Sequence, residues 1–326
     1  LKAINNIINI NKDKSIEIYL SERSKKFSFL INGKNIIFKI LNYDLNIFEK
    51  LNLIIYLFKN KISDVYILTP KNFYFYLPLF FKNIKFYGLC INGPNKYKRP
   101  TEFLRKYLFK YVVNDRAAIY KRDHTSTIQD SLTKIDNQNY QLNKITLKIS
   151  DLLKNNLPKN YAYFHYKKSI IDKLSWSTED VNKLFNEILK YYDHIIFTRD
   201  IDKNQKNDSI KERFKIIDFN SRKKINEKFN SKVLLFDNIE GEELYNTILN
   251  SSKVIAFHGM MTNLASINKK KVIDMWFCEI KDYKDYRNYR NAFYEFKQNY
   301  NEYDFIIPSK DINKTIKKLK YSLKKK

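Results

Sequence analysis

"VIAFHGMMTNLAS", Val254 to Ser266, holds three kinds of instruction in thirteen residues. "VIAF" is a continuous apolar run of the kind that forms a strand buried on both faces. His258 and Gly259 follow, and Gly259 is one of only five glycines in 326 residues. Thr262 and Asn263 then open an apolar-periodic segment that reads as a helix. A strand, a glycine turn and a helix in succession are the unit of a parallel α/β sheet, whose ligands bind beyond the carboxyl ends of the strands.

The flanking sequence repeats that unit. "YAYFHYK" reads as a strand and "STEDVNKLFNEILKYY" as a helix capped by Ser177 or Thr178, with Val181, Leu184, Phe185, Ile188 and Leu189 on one face. "HIIFTRD" is the next strand, followed by "KVLLFD", helix "EELYNTILN", strand "KVIAFH", helix "TNLASIN" and strand "KVIDMW". The C-terminal "SKDINKTIKKLKYSLKKK" is an amphipathic helix with Ile312, Ile316, Leu319 and Leu323 on one side. Alternation with apolar strands predicts a parallel sheet covered on both faces, with right-handed crossovers, hence a Rossmann-like layer.

The N-terminal part is read as opening with strands. "SIEIYL" is one; Asn32-Gly33 between "KFSFLI" and "KNIIFKI" predicts a β-hairpin. Helix "NIFEKLNLIIYLFKN", strand "DVYILT", the aromatic segment "NFYFYLPLFFKN" and strand "KFYGLC" come next, then a helix "TEFLRKYLFKYVV" capped by Thr101. From about Asn114 to Asn160 the chain is polar and poorly periodic. The domain junction is expected there, giving an N-terminal α/β domain over 1–140 and a C-terminal Rossmann-like domain over 141–326.

Composition narrows the function. The hydrophobic fraction is 44%, enough for two packed cores, and the net charge is +26. Arginine supplies only ten of the 61 basic residues. With Asn, Ile, Tyr and Phe abundant, much of the lysine reflects A/T-rich codons. The charge still favours anionic ligands, anionic lipid or nucleic acid, but readers of base sequence lean on arginine. Cys90 and Cys278, far apart and without C-x-x-C spacing, are too few for a zinc site or a disulfide framework and suit a reducing, cytoplasmic setting. Apolar runs such as "LNLIIYLF" are too short to span a membrane.

Candidate site residues gather at strand ends. A helix beginning at Met260 would offer the amides of Met260, Met261, Thr262 and Asn263 to a phosphate, with Gly259 allowing close approach and His258 and Thr262 at the rim. His165, Lys167 and Lys168 follow one strand; Arg199 and Asp200 follow another, Arg199 being suited to fork onto phosphate. Asp274 stands where it would accept from a ribose or sugar hydroxyl. Near the junction, "KRDHTSTIQDS" brings His124 close to Asp123 and Asp130, a base with its orienting carboxylate. Arg287 and Arg290 read as further diphosphate or acceptor contacts, or as a surface helix. There is no Walker loop, no G-x-S-x-G elbow and no H-E-x-x-H, and Asp200 with Asp202 is a poor metal pair.

In its order of elements and in "HGMMTNLASINKKKVID", the chain resembles the C-terminal domain of GT-B glycosyltransferases, the heptosyltransferase-like family above all. Gly259, Leu264, Ala265 and Val272 match that family's late motif. His258, Gly259, Thr262, Asn263 and Asp274 match the histidine-glycine variant of another GT-B-like group. The resemblance implies two Rossmann-like domains facing a cleft, a nucleotide-sugar held by the C-terminal half, and a cell-envelope glycan or glycolipid acceptor held by the N-terminal half. It implies transfer at the inner membrane face with no cofactor and no required metal. The glycine-rich first loop and early catalytic acid of heptosyltransferases have no counterpart here. The competing classes are a basic nucleic-acid-binding protein, and a GT-B-shaped protein of other transfer chemistry, such as pyruvyl transfer, or of none.

Overall fold

The computed structural model describes residues 2–31, 33–42, 45–68, 72–89, 109, 111–113, 153, 157–200, 214–219, 231–277 and 303–324. The chain divides into two compact units, Leu1–Gln141 and Leu142–Lys326.

The second unit is built on seven parallel strands: β6 (Tyr161–Tyr166), β7 (His194–Arg199), β8 (Lys215–Asp218), β9 (Val233–Asp237), β10 (Lys253–Phe257), β11 (Val272–Met275) and β12 (Tyr303–Ile306). Their spatial order is β12-β11-β10-β6-β7-β9-β8. The chain first winds outward from β6 through β7, then returns to lay β10 on the other side of β6. The boundary between β6 and β10 is therefore the topological switch point, where the crossover loops part and leave a crevice. β6 and β10 are buried at every position, as the centre of a doubly covered sheet requires.

Each face has its own cover. Alternate residues such as Phe164, Phe197, Ile255, Phe257 and Ile273 pack with Ile171 and Leu174 of the helix Lys168–Leu174, with Leu184 and Phe185 of the helix Thr178–Ile188, and with Leu319 of the C-terminal helix Ile312–Lys324. The opposite face lies under the helices Gly241–Asn250 and Met260–Ile267, to which Tyr161 is tied by its hydroxyl donating to Thr247 O at 2.6 Å. The helix Thr178–Ile188 starts where its capping sequence says it should. Ser177 Oγ accepts from the Asp180 amide at 3.2 Å, and Asp180 reaches back to the Ser177 amide at 3.1 Å. Replacing Ser177 by Ala is expected to cost about 1 kcal/mol, read as a small fall in Tm by calorimetry.

The first unit holds two small parallel sheets. β1 (Ile16–Leu20) pairs with β2 (Ile36–Ile40), and β3 (Asp64–Ile67), β4 (Lys85–Leu89) and β5 (Tyr111–Val113) form the other. The helix Ile47–Lys59 between them is started by a reciprocal cap of Asn46 and Glu49. Leu57, Ile67, Leu77, Phe81, Phe86 and Phe109 close one core; Ile8, Ile18 and Ile31 close a smaller one.

The expected β-hairpin is not formed. Ser28–Leu30 is a 3-10 turn, and β2 pairs in parallel with β1 rather than antiparallel with the segment before it. The described glycines with positive φ are Gly241 and Gly259, so Gly33 lacks the backbone that a two-residue hairpin needs. The parallel pairing wins because it buries Ile18 and Ile31 against Ile8 of an N-terminal helix, Lys2–Ile10, where strands were expected to open the chain. Tyr111–Val113, expected to end a helix, is instead a strand on β4. The helix Lys168–Leu174 and the strands β8 and β12 were not foreseen.

Candidate functional site

At the carboxyl end of the second unit's sheet, Thr198, His165, Ala256 and Asp274 lie side by side in one row across β7, β6, β10 and β11. Three polar residues in a buried row need partners, and they find them in two groups.

The first group is a chain of side-chain bonds. Tyr163 Oη lies 2.6 Å from Thr198 Oγ1, which lies 3.0 Å from His165 Nδ1, and His165 Nε2 lies 3.1 Å from Asp200 Oδ1. A carboxylate only accepts, so Nε2–H donates to Asp200. Nδ1 is then the acceptor, Thr198 donates to it, and Tyr163 donates to Thr198. Burial raises the Tyr163 phenol well above its ordinary pKa; the bond to Thr198 acts the other way and the charge of Asp200 adds to the rise. His165 is thereby fixed as a part of the sheet's end that sets the position of Asp200.

The second group surrounds the glycine turn. His258 Nδ1 donates to Asp274 Oδ2 at 2.7 Å, and the same oxygen accepts from the Tyr303 hydroxyl. The imidazole stacks on Trp276, centroids 3.8 Å apart and planes 17° apart. Its backbone is held as firmly: the amide donates to Met275 O at 3.0 Å, and the carbonyl accepts from Lys167 Nζ at 2.6 Å. Asp274 Oδ1 is buried with no hydrogen-bond partner among the described residues.

Gly259 follows at φ 158° and ψ −148°, a region that residues with a Cβ rarely occupy. A Cβ built on it would stand 2.7 Å from Lys167 Nζ. The lysine ammonium therefore rests in the space that the missing side chain leaves. Lys167 comes from the end of β6 and Gly259 from the end of β10, so their contact bridges the switch point.

The helix Met260–Ile267 begins at once. Thr262 is buried and closes the turn upon itself, accepting from the Gly259 amide at 3.2 Å and donating to Gly259 O at 2.9 Å. The Asn263 amide donates to Gly259 O at 3.1 Å. Among the described residues, nothing accepts from the amides of Met260, Met261 and Thr262. Three amides and a positive dipole end thus stand next to a lysine ammonium, a combination that selects for an anion.

Several expectations change against this geometry. Thr262 is not at the rim, and the Asn263 amide is not open. Asp274 is fully buried, so it is not placed to accept from a sugar hydroxyl; it orients His258 instead. The fork of Arg199 is occupied by Asp237, with Nε to Oδ1 at 2.8 Å and Nη2 to Oδ2 at 3.2 Å. That leaves Nη1, buried and with no hydrogen-bond partner among the described residues, rather than a whole guanidinium for phosphate. Lys168 bonds Asp172 one turn away on its own helix. His124, Asp123, Asp130, Asp202, Arg287 and Arg290 lie outside the described residues. Tyr303, Trp276 and Asp237 went unnoticed in the sequence. Only Asp237 had a signal there, as an acid closing the apolar run "KVLLFD".

No family model and no curated protein sequence matches the chain. Solved structures do match, along nearly its whole length. The ADP-heptose LPS heptosyltransferase II of E. coli superposes with a TM-score of 0.60 at 10% identity, over 99% of this chain and 93% of that one. A glycosyl transferase of family 9 from Veillonella parvula does so with a TM-score of 0.60 at 9% identity, over 98% and 92%. The chain has a GT-B fold. The UDP-GlcNAc 2-epimerase of Methanocaldococcus jannaschii shares that fold, with a TM-score of 0.56 at 15% identity, over 99% and 89%. In this chain the turn at Gly259 and the lysine that follows β6 meet at the switch point of that fold.

Proposed function

We propose that the chain is a glycosyltransferase that takes a nucleotide-activated sugar and passes the sugar to a hydroxyl of a cell-envelope glycan or glycolipid. The observation that carries this reading is the ammonium of Lys167 seated over Gly259 beside the open amides of Met260, Met261 and Thr262. Glycosyl transfer breaks the bond between the sugar's anomeric carbon and the diphosphate oxygen. Negative charge grows on the departing diphosphate, and donors already fixed in place stabilise it without having to reorganise. Lys167 is fixed by His258 O, and His258 is fixed by Asp274 and Trp276, so the cradle is held from two sides. The acceptor hydroxyl must lose its proton as its oxygen attacks; His124, oriented by Asp123 or Asp130, is the proposed base. The donor is a substrate, and the proposal needs no cofactor. A cytoplasmic site of action accords with the activated-sugar donor, and the GT-B likeness supports the class of reaction.

The test is a thermal-shift panel of ADP, UDP, GDP and CDP on the full chain, followed by mass analysis of products from a nucleotide-sugar pool with and without acceptor. One nucleoside diphosphate is expected to stabilise the protein. Lys167→Met is expected to weaken its binding about tenfold, the worth of one charge-assisted hydrogen bond. Conversion of a nucleotide-sugar, with no acceptor present, into an isomer of unchanged mass resolved by chromatography would make the protein an isomerase on the same fold. Salt-sensitive binding of DNA or RNA, with no nucleotide response, would replace the proposal with the nucleic-acid reading.

A further inference from the structure

The helix Ile47–Lys59 of the first unit carries a broad apolar face. Leu57 and Ile54, along one edge of it, face the core. Beside them, Ile47 is 62% exposed, Phe48 72% and Phe58 64%, with Leu51 and Ile55 about half exposed. At 3.6 residues per turn these five fall within an arc of about 100°. Single exposed apolar residues are ordinary, but five on one stripe are not. The stripe continues onto the next element: the Phe58 ring packs on Phe81 with centroids 4.5 Å apart, and the preceding Leu79 and Phe80 are themselves about half exposed.

The rim of the patch is cationic. Lys59 follows Phe58, Lys61 lies two residues on, and Lys82 follows Phe81; all three are exposed. None has a carboxylate partner among the described residues. The one acid of the helix, Glu49, is turned to its own N-cap. We propose that this face rests on an anionic lipid bilayer, with the aliphatic and aromatic side chains entering the headgroup–acyl boundary and the lysines meeting the lipid charges. A second copy is a poor occupant, because it would set one lysine rim against another in a protein of net charge +26. Nucleic acid would stack on aromatic rings and has little use for Ile47, Leu51 and Ile55. No helix among the described residues is long and apolar enough to cross a membrane, so the contact is a surface one.

The experiment is vesicle co-sedimentation of the full chain with phosphatidylcholine alone and with about a third phosphatidylglycerol added. Binding is expected to the mixed vesicles and to weaken with salt. The exposed double variant Phe48→Ser, Leu51→Ser is expected to lower that binding about tenfold while its melting stays close to that of the parent. Lys59→Gln, Lys61→Gln, Lys82→Gln is expected to lower it by a similar factor on phosphatidylglycerol only. Undiminished binding of the serine variant would overturn the proposal, as would no binding by the parent. So would a parent dimer in sedimentation velocity that the serine variant dissolves without any vesicle contact. The serine variant keeps every residue of the diphosphate cradle, so its nucleotide response separates this proposal from the one above.

Discussion

Gly259→Val is expected to abolish the stabilisation of this protein by a nucleoside diphosphate, with affinity falling on the order of 100-fold. Three effects add in the same direction. The new Cβ would arrive 2.7 Å from Lys167 Nζ and push the ammonium off the turn, breaking its 2.6 Å bond to His258 O. The branched side chain would also stand over the first amides of the helix Met260–Ile267, closing the approach that a phosphate needs. The backbone at φ 158° and ψ −148° would hold a valine at a cost of about 1–3 kcal/mol or would shift. Losing one ammonium contact and one or two amide bonds amounts to about 3 kcal/mol. Isothermal titration with the diphosphate found by thermal shift reads this directly, and circular dichroism checks that the variant folds. Because Gly259 and Lys167 act through one contact, Lys167→Met with Gly259→Val should lose much less than the sum of the two single losses. Full affinity in Gly259→Val would remove the cradle from the reading of this site.

Asp274→Ala is expected to lower Tm by about 6–12 °C, the equivalent of about 3 kcal/mol in a unit of this size. Asp274 is fully buried and serves two donors, Tyr303 Oη and His258 Nδ1, through one oxygen. Alanine takes that carboxylate away from both. Its other oxygen has no partner among the described residues, so removing the carboxylate also relieves one unsatisfied atom. One relieved oxygen against two lost bonds to a carboxylate still leaves a net loss. Asp274→Asn keeps the shape and one acceptor, and its Tm should fall by about half as much. The alanine variant should also weaken nucleotide binding, since the His258 ring and the carbonyl that holds Lys167 belong to one residue. A melt within about 2 °C of the parent would show that the buried dyad contributes nothing to the sheet's end.

The sequence carried the second unit well because the signals there are local. "YAYF", "IIF" and "VIAF" are continuous apolar runs, as a strand covered on both faces asks. Ser177 with Asp180 marks a helix start by chemistry confined to four residues. "FHGMMTN" announced a strand, a sharp turn and a helix start in the right order. The first unit misled where local and distant demands conflict. Asn32-Gly33 is good hairpin chemistry, yet the segment gains more by laying Ile36–Ile40 beside Ile16–Leu20, a pairing that no window of the sequence shows.

What the sequence determined by itself is the alternation of elements, the parallel sheet it implies, and the glycine turn at a strand's carboxyl end. Those follow from side-chain periodicity, capping chemistry and a residue that lacks a Cβ. What only the tertiary structure decided is which residues meet: Lys167 with Gly259, 92 positions apart in sequence; Asp274 turned inward to His258 and Tyr303 rather than outward to a sugar; Arg199 bound to Asp237. The strand order fixes these meetings. It sets β10 beside β6 and β9 beside β7, and hydrogen bonding between distant strands leaves no periodic trace along the chain.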